Sequence, residues 1–305
     1  MDNCLFSRDL ISVVVPVYNS EEYIIQALES LKKQSYENFE VLIVDGSTDN
    51  TPNIIDTNIQ DDDRFHVYRV INNGPGFARN YGISRASGSY ITFMDHDDIV
   101  HRDWLFELYS LIISTRVDIV FCSGFYNIYK DDSVETFQTE VSRGVYLLNK
   151  KLKMRLSHGW IAPWLKMTSL KFIKNHNIQF SLDNAFDDVL FHFMSIHFAS
   201  TVAFCDKPLY YHRIHNGSVT SIALVSGNMF FYHFKTLYDM LNDGCDAQLI
   251  NMFMRFIKYY RGKVASREKY QAIYTNISLL LADGNTERAK DIAMLGIEHI
   301  NPNYV

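Results

Sequence analysis

Cysteine is scarce and scattered: Cys4, Cys122, Cys205 and Cys245 stand far apart with no C-x-x-C pair. That spacing argues against a zinc site and a disulfide framework, and it fits a reducing cytoplasm. An excess of positive charge is also missing. Lys and Arg together number 29 against 35 Asp and Glu, for a formal net charge of −6, which argues against a global nucleic-acid binder. Long apolar runs are absent too. The run at 11–15 is too short for a signal peptide or a membrane span, so no segment is expected to cross a bilayer. No internal repeat or low-complexity tract breaks the chain. What is present is the composition of an ordinary folded protein: 305 residues, 47% hydrophobic and 21% charged, enough for one large core or a core with a smaller lobe.

The first third alternates strand and helix signals. The β-branched run 11–15 ends at Pro16, and Asn19 and Ser20 offer caps for a helix whose apolar residues Tyr23, Ile24, Ala27, Leu28 and Leu31 recur at helical spacing. A second unit pairs a buried strand at 40–44 with a turn at 45–49 and a helix at 51–58. A short strand at 66–71 leads through Asn72-Asn73-Gly74-Pro75-Gly76 into a helix carrying Arg79, and a strand at 90–94 closes the pattern. Repeated βα units imply an α/β fold with a doubly wound, mostly parallel sheet, which gathers ligands at the carboxyl ends of its strands.

The fourth strand ends in Asp95-His96-Asp97-Asp98, three carboxylates within four residues. Carboxylate oxygens are hard ligands suited to Mg²⁺ or Mn²⁺. The other strand ends offer Tyr18 and Asn19, Asp45, and the glycine turn with Arg79. Together these make a cradle for a nucleoside diphosphate: a carboxylate accepts from a base N–H, while arginine and metal neutralise phosphate.

These segments, V-V-P-V-Y-N at 14–19, V-D-G-S-T-D at 44–49, G-P-G-F-A-R-N at 74–80 and G-S-Y-I-T-F-M-D-H-D-D at 88–98, resemble the family 2 glycosyltransferases of GT-A fold. Trp164-Leu165-Lys166, Phe186-Asp187-Asp188 and Pro208-Leu209-Tyr210-Tyr211-His212-Arg213 extend the resemblance to about residue 220. It implies a donor half at about 1–120 and an acceptor half at about 121–222, within a transferase domain 1–222, followed by a helical region 223–305. It further implies an inverting, metal-dependent enzyme that moves a hexose from a UDP-sugar to a glycan or lipid-linked glycan acceptor in bacterial surface polysaccharide or lipooligosaccharide synthesis. Donor binding falls to Pro16, Tyr18, Asn19, Asp45, Arg79, Asp95, His96, Arg213 and His215. Asp45 is expected on the uracil, Arg79 on the diphosphate and Asp95 on the ribose or sugar. Asp97 is expected to hold Mn²⁺ or Mg²⁺, Trp164 and Asp187 to lie on the acceptor side, and Asp188 to be the general base.

The chain departs from the family pattern in three places. A single Asp45 precedes Gly46, Asp187 replaces a glutamate, and His96 stands between the metal-site aspartates. Two other readings stay open at this point. Asp95-x-Asp97-x-Ile99 also resembles the nucleophile motif of haloacid-dehalogenase-like phosphatases, and the altered acidic motifs allow a catalytically silent nucleotide-sugar-binding module.

Past residue 220 the periodicity turns helical, with amphipathic helices expected at 229–241, 247–264, 268–281 and 286–297. The second puts Leu249, Phe253, Phe256, Ile257 and Tyr260 on one face and Arg255 and Lys258 opposite, with Arg261 at the border. The basic stretch 255–269 fits a peripheral contact with the inner face of the plasma membrane, against the plainer reading of packed helices with solvated basic faces. These helices are expected to lie on a lobe apart from the donor site.

Overall fold

The computed structural model describes residues 9–139, 141–156, 161–182, 186–215, 229–242, 247–260 and 267–300. The order begins β1 (Ile11–Val17), α1 (Ile24–Lys32), β2 (Phe39–Asp45), α2 (Thr51–Ile59), β3 (Phe65–Arg69), α3 (Gly74–Arg85) and β4 (Tyr90–Phe93). It continues with β5 (Ile99–Val100), α4 (Trp104–Thr115), β6 (Ile119–Ile128), β7 (Val134–Gln138), β8 (Gly144–Leu147) and α5 (Lys150–Leu156). A 3₁₀ turn (Pro163–Leu165) then leads to β9 (Lys166–Ser169), α6 (Leu170–Asn175), α7 (Asp188–Phe198) and β10 (Thr201–Arg213). Four helices follow: α8 (Met229–Asn242), α9 (Ala247–Tyr260), α10 (Arg267–Ala282) and α11 (Thr286–Ile300).

The sheet runs β3-β2-β1-β4-β9-β6-β10-β5, with β7 on β6 and β8 on β10. Strands β3, β2, β1, β4, β6 and β10 point one way, while β9 and β5 oppose them. β9 therefore joins the amino-terminal parallel block to the β6–β10 pair. Successive strand residues face opposite sides, so each strand feeds two cores. Val14, Leu42, Ile91, Phe93 and Phe121 face a core shared with α7 and the carboxyl-terminal helices. Val13, Val15, Val41 and Ile43 face a core shared with α1 and α4. Helix α3 sits close on the first face: a Cβ at Gly82 would lie 2.3 Å from Val14 Cγ1, so this position needs glycine.

The expected cap of α1 is corrected. The helix starts at Ile24 with no side-chain cap on Tyr23. Asn19, at φ 48°, turns instead toward the neighbouring loop, where its Oδ1 accepts from Thr48 N at 2.9 Å. The Ser20 hydroxyl pairs with His96 Nδ1 at 2.8 Å. Both candidate caps thus tie strand ends together.

The carboxyl-terminal helices are not apart from the rest. Phe193 of α7 meets Phe253 and Phe256 of α9 edge-on, each at 5.3 Å between ring centres. In α9 Leu249, Phe253, Phe256 and Ile257 are buried while Arg255 and Lys258 are exposed, and Arg261 lies outside the described residues. Among the described residues no helix is long and apolar enough to cross a membrane. Because Phe193 is fully buried between two elements, Phe193→Ala is expected to cost about 3–5 kcal/mol of stability, read from denaturant unfolding.

Candidate active site

The carboxyl ends of β1–β4 open into a cleft of about 690 Å³, within the range of small-molecule sites. Its lining includes Pro16, Tyr18, Asn19, Arg79, Asp95, His96, Asp97, Trp164, Asp187, Asp188, Arg213 and His215. One expected donor residue is missing from that wall. Asp45 is buried, with one oxygen accepting from Ser47 N at 2.8 Å and the other paired with Arg69. Arg69 also reaches Asp56 at 2.6 Å. With a single aspartate in this turn, an arginine occupies the carboxylate that was expected to face the uracil.

Arg79 joins two stretches of chain that are far apart in sequence. Its Nη2 donates to Asp95 Oδ1 at 2.6 Å and its Nη1 to Asp187 Oδ2 at 2.5 Å. The guanidinium is buried, and its Nε makes no hydrogen bond. Helix α3 can bring Arg79 this close because Gly76 lacks a side chain: a Cβ there would fall 1.8 Å from Ser181 O. Asn80, which was not singled out from the sequence, locks the same approach. Its amide donates to Phe180 O and accepts from Phe180 N, each at 2.9 Å. Its place directly after Arg79 in the glycine-turn motif was the available signal.

Asp187 and Asp188 open α7, where the first-turn N–H groups favour negative charge. Phe186 just before them is held at φ 58°, a conformation costly for a bulky residue. Burial pushes Asp188 above the usual carboxylate range and Asp95 adds to this, while Arg79 and Lys166 pull it back. A carboxylate raised in this way is a stronger base than a solvent-exposed one.

The acidic run divides its labour. Asp98 is buried and structural: its carboxylate accepts from Tyr210 OH at 2.8 Å and from Arg213 N at 2.7 Å. Burial first, then repulsion from Asp97 and Asp95, holds its acid strength well below normal. Arg213 closes over the rim, with its Nε donating to Asp97 O at 2.8 Å, its Nη2 to Gln26 at 2.6 Å, and its guanidinium 5.1 Å from the Tyr23 ring centre.

Asp97 Oδ2 lies 2.8 Å from His215 Nε2. Burial alone would raise Asp97, but the His215 hydrogen bond and the nearby imidazoles hold it down at about 2. Among the described residues no three His, Cys, Asp or Glu side chains form a ready-made metal cage. A carboxylate oxygen and an imidazole nitrogen converging in this cleft nonetheless fit a divalent ion that draws its other ligands from water and a bound phosphate.

Trp164 stacks on Tyr210 at 4.2 Å and 9°, and Phe125 meets Trp164 edge-on at 5.1 Å. The cleft also has a wall that the sequence reading put elsewhere: His233 of α8 and Phe256 of α9 line it. Nothing in the helical periodicity of those segments distinguishes a residue facing the cleft from one facing the core.

Residues 12–182 match the model of glycosyl transferase family 2. The chain belongs to that family. It is 30% identical over 291 residues to glycosyltransferase GlyG of Streptococcus pneumoniae serotype 4, covering 89% of this chain and 96% of that protein. In fold it is similar to TarS residues 1–349 of S. aureus in complex with UDP-GlcNAc, with TM-score 0.71 and 23% identity over 96% of this chain and 91% of that one. A more distant likeness, TM-score 0.55 and 14% identity, covers 96% of this chain and 88% of the mannosyltransferase PcManGT from Pyrobaculum calidifontis in complex with GDP-Man and Mn²⁺. The fold is thus GT-A, the chain is a glycosyltransferase, and the phosphatase and silent-module readings give way.

The Asp97–His215 pair makes a pH prediction for the metal-free protein. The lowered Asp97 and raised His215 stabilise the fold fully between their ordinary values of 3.8 and 6.5. That contribution fades as pH falls toward about 2 and as pH rises through the raised His215 value. With chelator present, the His215 ring is expected to titrate above its ordinary value by NMR and to drop back in Asp97→Ala.

Proposed function

We propose that this glycosyltransferase moves a hexosyl group from a UDP-sugar to an acceptor hydroxyl on a glycan or lipid-linked glycan, with inversion at the anomeric carbon. The observation that carries this reading is the convergence of the Asp97–His215 pair and Asp188 on one cleft at the carboxyl ends of the parallel strands. The UDP-GlcNAc complex of the similar TarS fold supports a UDP-sugar donor, and the Mn²⁺ complex of PcManGT supports a divalent ion.

In this reading Pro16, Tyr18, Asn19 and His96 form the wall against the nucleotide, and Asp95 meets the ribose or sugar. Asp45, turned to Arg69, would reach the uracil only if a bound nucleotide drew it away from that partner. Arg79 acts on the donor chiefly by fixing Asp95 and Asp187, since both its Nη groups already face carboxylates. Arg213 and His215 close over the diphosphate. Asp97 would hold Mn²⁺ or Mg²⁺ together with His215, and the imidazole ligand favours the softer Mn²⁺. When bound, the ion supplies positive charge against the negative charge that builds on the departing diphosphate. Asp188 takes the acceptor's proton as its oxygen bonds to the anomeric carbon and the bond to the diphosphate breaks, with Trp164 and Asp187 shaping the acceptor side.

We place this reaction in bacterial surface polysaccharide or lipooligosaccharide synthesis on the cytoplasmic side. The exposed Arg255 and Lys258 of α9 would supply a peripheral contact with anionic lipid.

The test is a screen of UDP- and GDP-sugars for metal-dependent binding and turnover, starting with UDP-GlcNAc. Asp188→Asn should bind the donor nearly normally and lose on the order of 10²–10⁴ in turnover. Asp97→Ala should stay folded and lose metal-dependent UDP binding in a calorimetric titration. Full turnover in Asp188→Asn would move the base elsewhere, and unchanged UDP affinity in Asp97→Ala would remove that carboxylate from the metal.

A further inference from the structure

Lys166 opens β9 with no exposed surface, which is rare for a lysine because an isolated ammonium is costly to take out of water. Its Nζ donates to Ile161 O at 2.8 Å and lies 3.2 Å from His192 Nδ1. The rings of Phe121 and Phe191 stand 5.9 and 5.8 Å from it, near enough for their faces to attract a cation.

The protons at His192 follow from its partners. Its Nε2 lies 2.9 Å from Leu156 O, and a carbonyl only accepts, so Nε2 carries the hydrogen. Burial first, then the Lys166 charge, keeps this ring from taking a second proton. Its Nδ1 lone pair therefore accepts from Lys166, and every hydrogen-bond partner of the ammonium named here is neutral. The carboxylate that acts on it is Asp188, one helical turn before His192 on α7. The two residues share a face of that helix at i, i+4. Ile161, the second anchor, itself lines the cleft.

We propose that Lys166 is a positioning residue for Asp188: clamped by the Ile161 carbonyl and the His192 ring, it supplies a buried positive charge that balances the Asp188 carboxylate and keeps it anionic at the start of α7. The catalytic meaning rests on Asp188 being the base, whereas the charge coupling does not. Among the described residues two cations and two anions act on Asp188: Arg79 from α3 and Lys166 from β9, against Asp95 after β4 and the adjoining Asp187. Arg79 is already shared between Asp95 and Asp187, which leaves Lys166 as the cation not paired with another carboxylate. Burial lowers Lys166 to about 7 despite the pull of Asp188. The two charges therefore support each other, and a change at either partner is felt by the other. A purely structural hydrogen-bonding role would need no charge, and a neutral glutamine would fill it.

The experiment reads the titrations directly. Carboxyl-carbon NMR of aspartate-labelled protein follows Asp188, assigned by the loss of its signal in Asp188→Asn. In Lys166→Met and in Lys166→Gln, Asp188 is expected to release its proton roughly one pH unit or more higher than in wild type. Where turnover is measured with UDP-GlcNAc, the acid limb of the pH profile should move by the same amount. The reciprocal arm avoids altering the buried position: in Asp188→Asn, ammonium-nitrogen NMR should show Lys166 releasing its proton at lower pH than in wild type, because coupling acts equally in both directions. An Asp188 titration unmoved in a folded Lys166 variant, or a Lys166 titration indifferent to Asp188→Asn, overturns the proposal. Full turnover in Asp188→Asn would remove the base assignment while these titrations still decide the coupling.

Discussion

The double ion pair of Arg79 is the constraint on which the site depends. Asp95 comes from the parallel block and Asp187 from the loop before α7, more than ninety positions later in the chain. Among the described residues five carboxylates line the cleft and repel one another, and burial makes each more costly. One guanidinium between two of them turns that repulsion into a bridge. Its planar fork suits the role, since two of its nitrogens can each serve a separate carboxylate with fixed geometry. Gly76 and Asn80, on the same helix, ensure that the bridge has only one length: the first by the absence of a Cβ, the second by clasping the backbone of Phe180.

Around this bridge the remaining charges fall into pairs with distinct tasks. Asp98 spends its carboxylate on Tyr210 and the Arg213 backbone, fixing where β10 ends. Asp97 pairs with His215, while Asp188 feels the buried charge of Lys166. The acidic run therefore includes both a carboxylate tied into the frame and one that faces the cleft. The sequence shows only that several acids are adjacent, and adjacency alone does not sort these roles.

Much of the fold was legible because its signals are local. Apolar strands followed by turn residues and amphipathic helices announce βα units, and period-two alternation places Val13, Val14 and Val15 on opposite faces. The cleft residues were legible through their place at strand ends and through the family motifs that carry them. What escaped depends on partners distant in the chain. The capture of Asp45 by Arg69 follows from strand pairing between β2 and β3. The capping role read for Asn19 and Ser20 failed because the neighbouring loop and His96 offered better partners. Lys166 stood within a recognised motif, but its burial and its neighbour His192 appear only when β9 and α7 come together. The helices after residue 220 showed their apolar faces and not their destination.

That destination has a practical side. The aromatic contact between Phe193 and α9 means that the segment carrying Asp188 is backed by rings from beyond residue 222. A chain trimmed at residue 222 would leave Phe193 and its neighbours facing water, a sticky surface next to the start of α7. Such a fragment would tend to self-associate in concentrated solution, so crystallisation and assay work on this protein is better served by keeping the carboxyl-terminal helices attached.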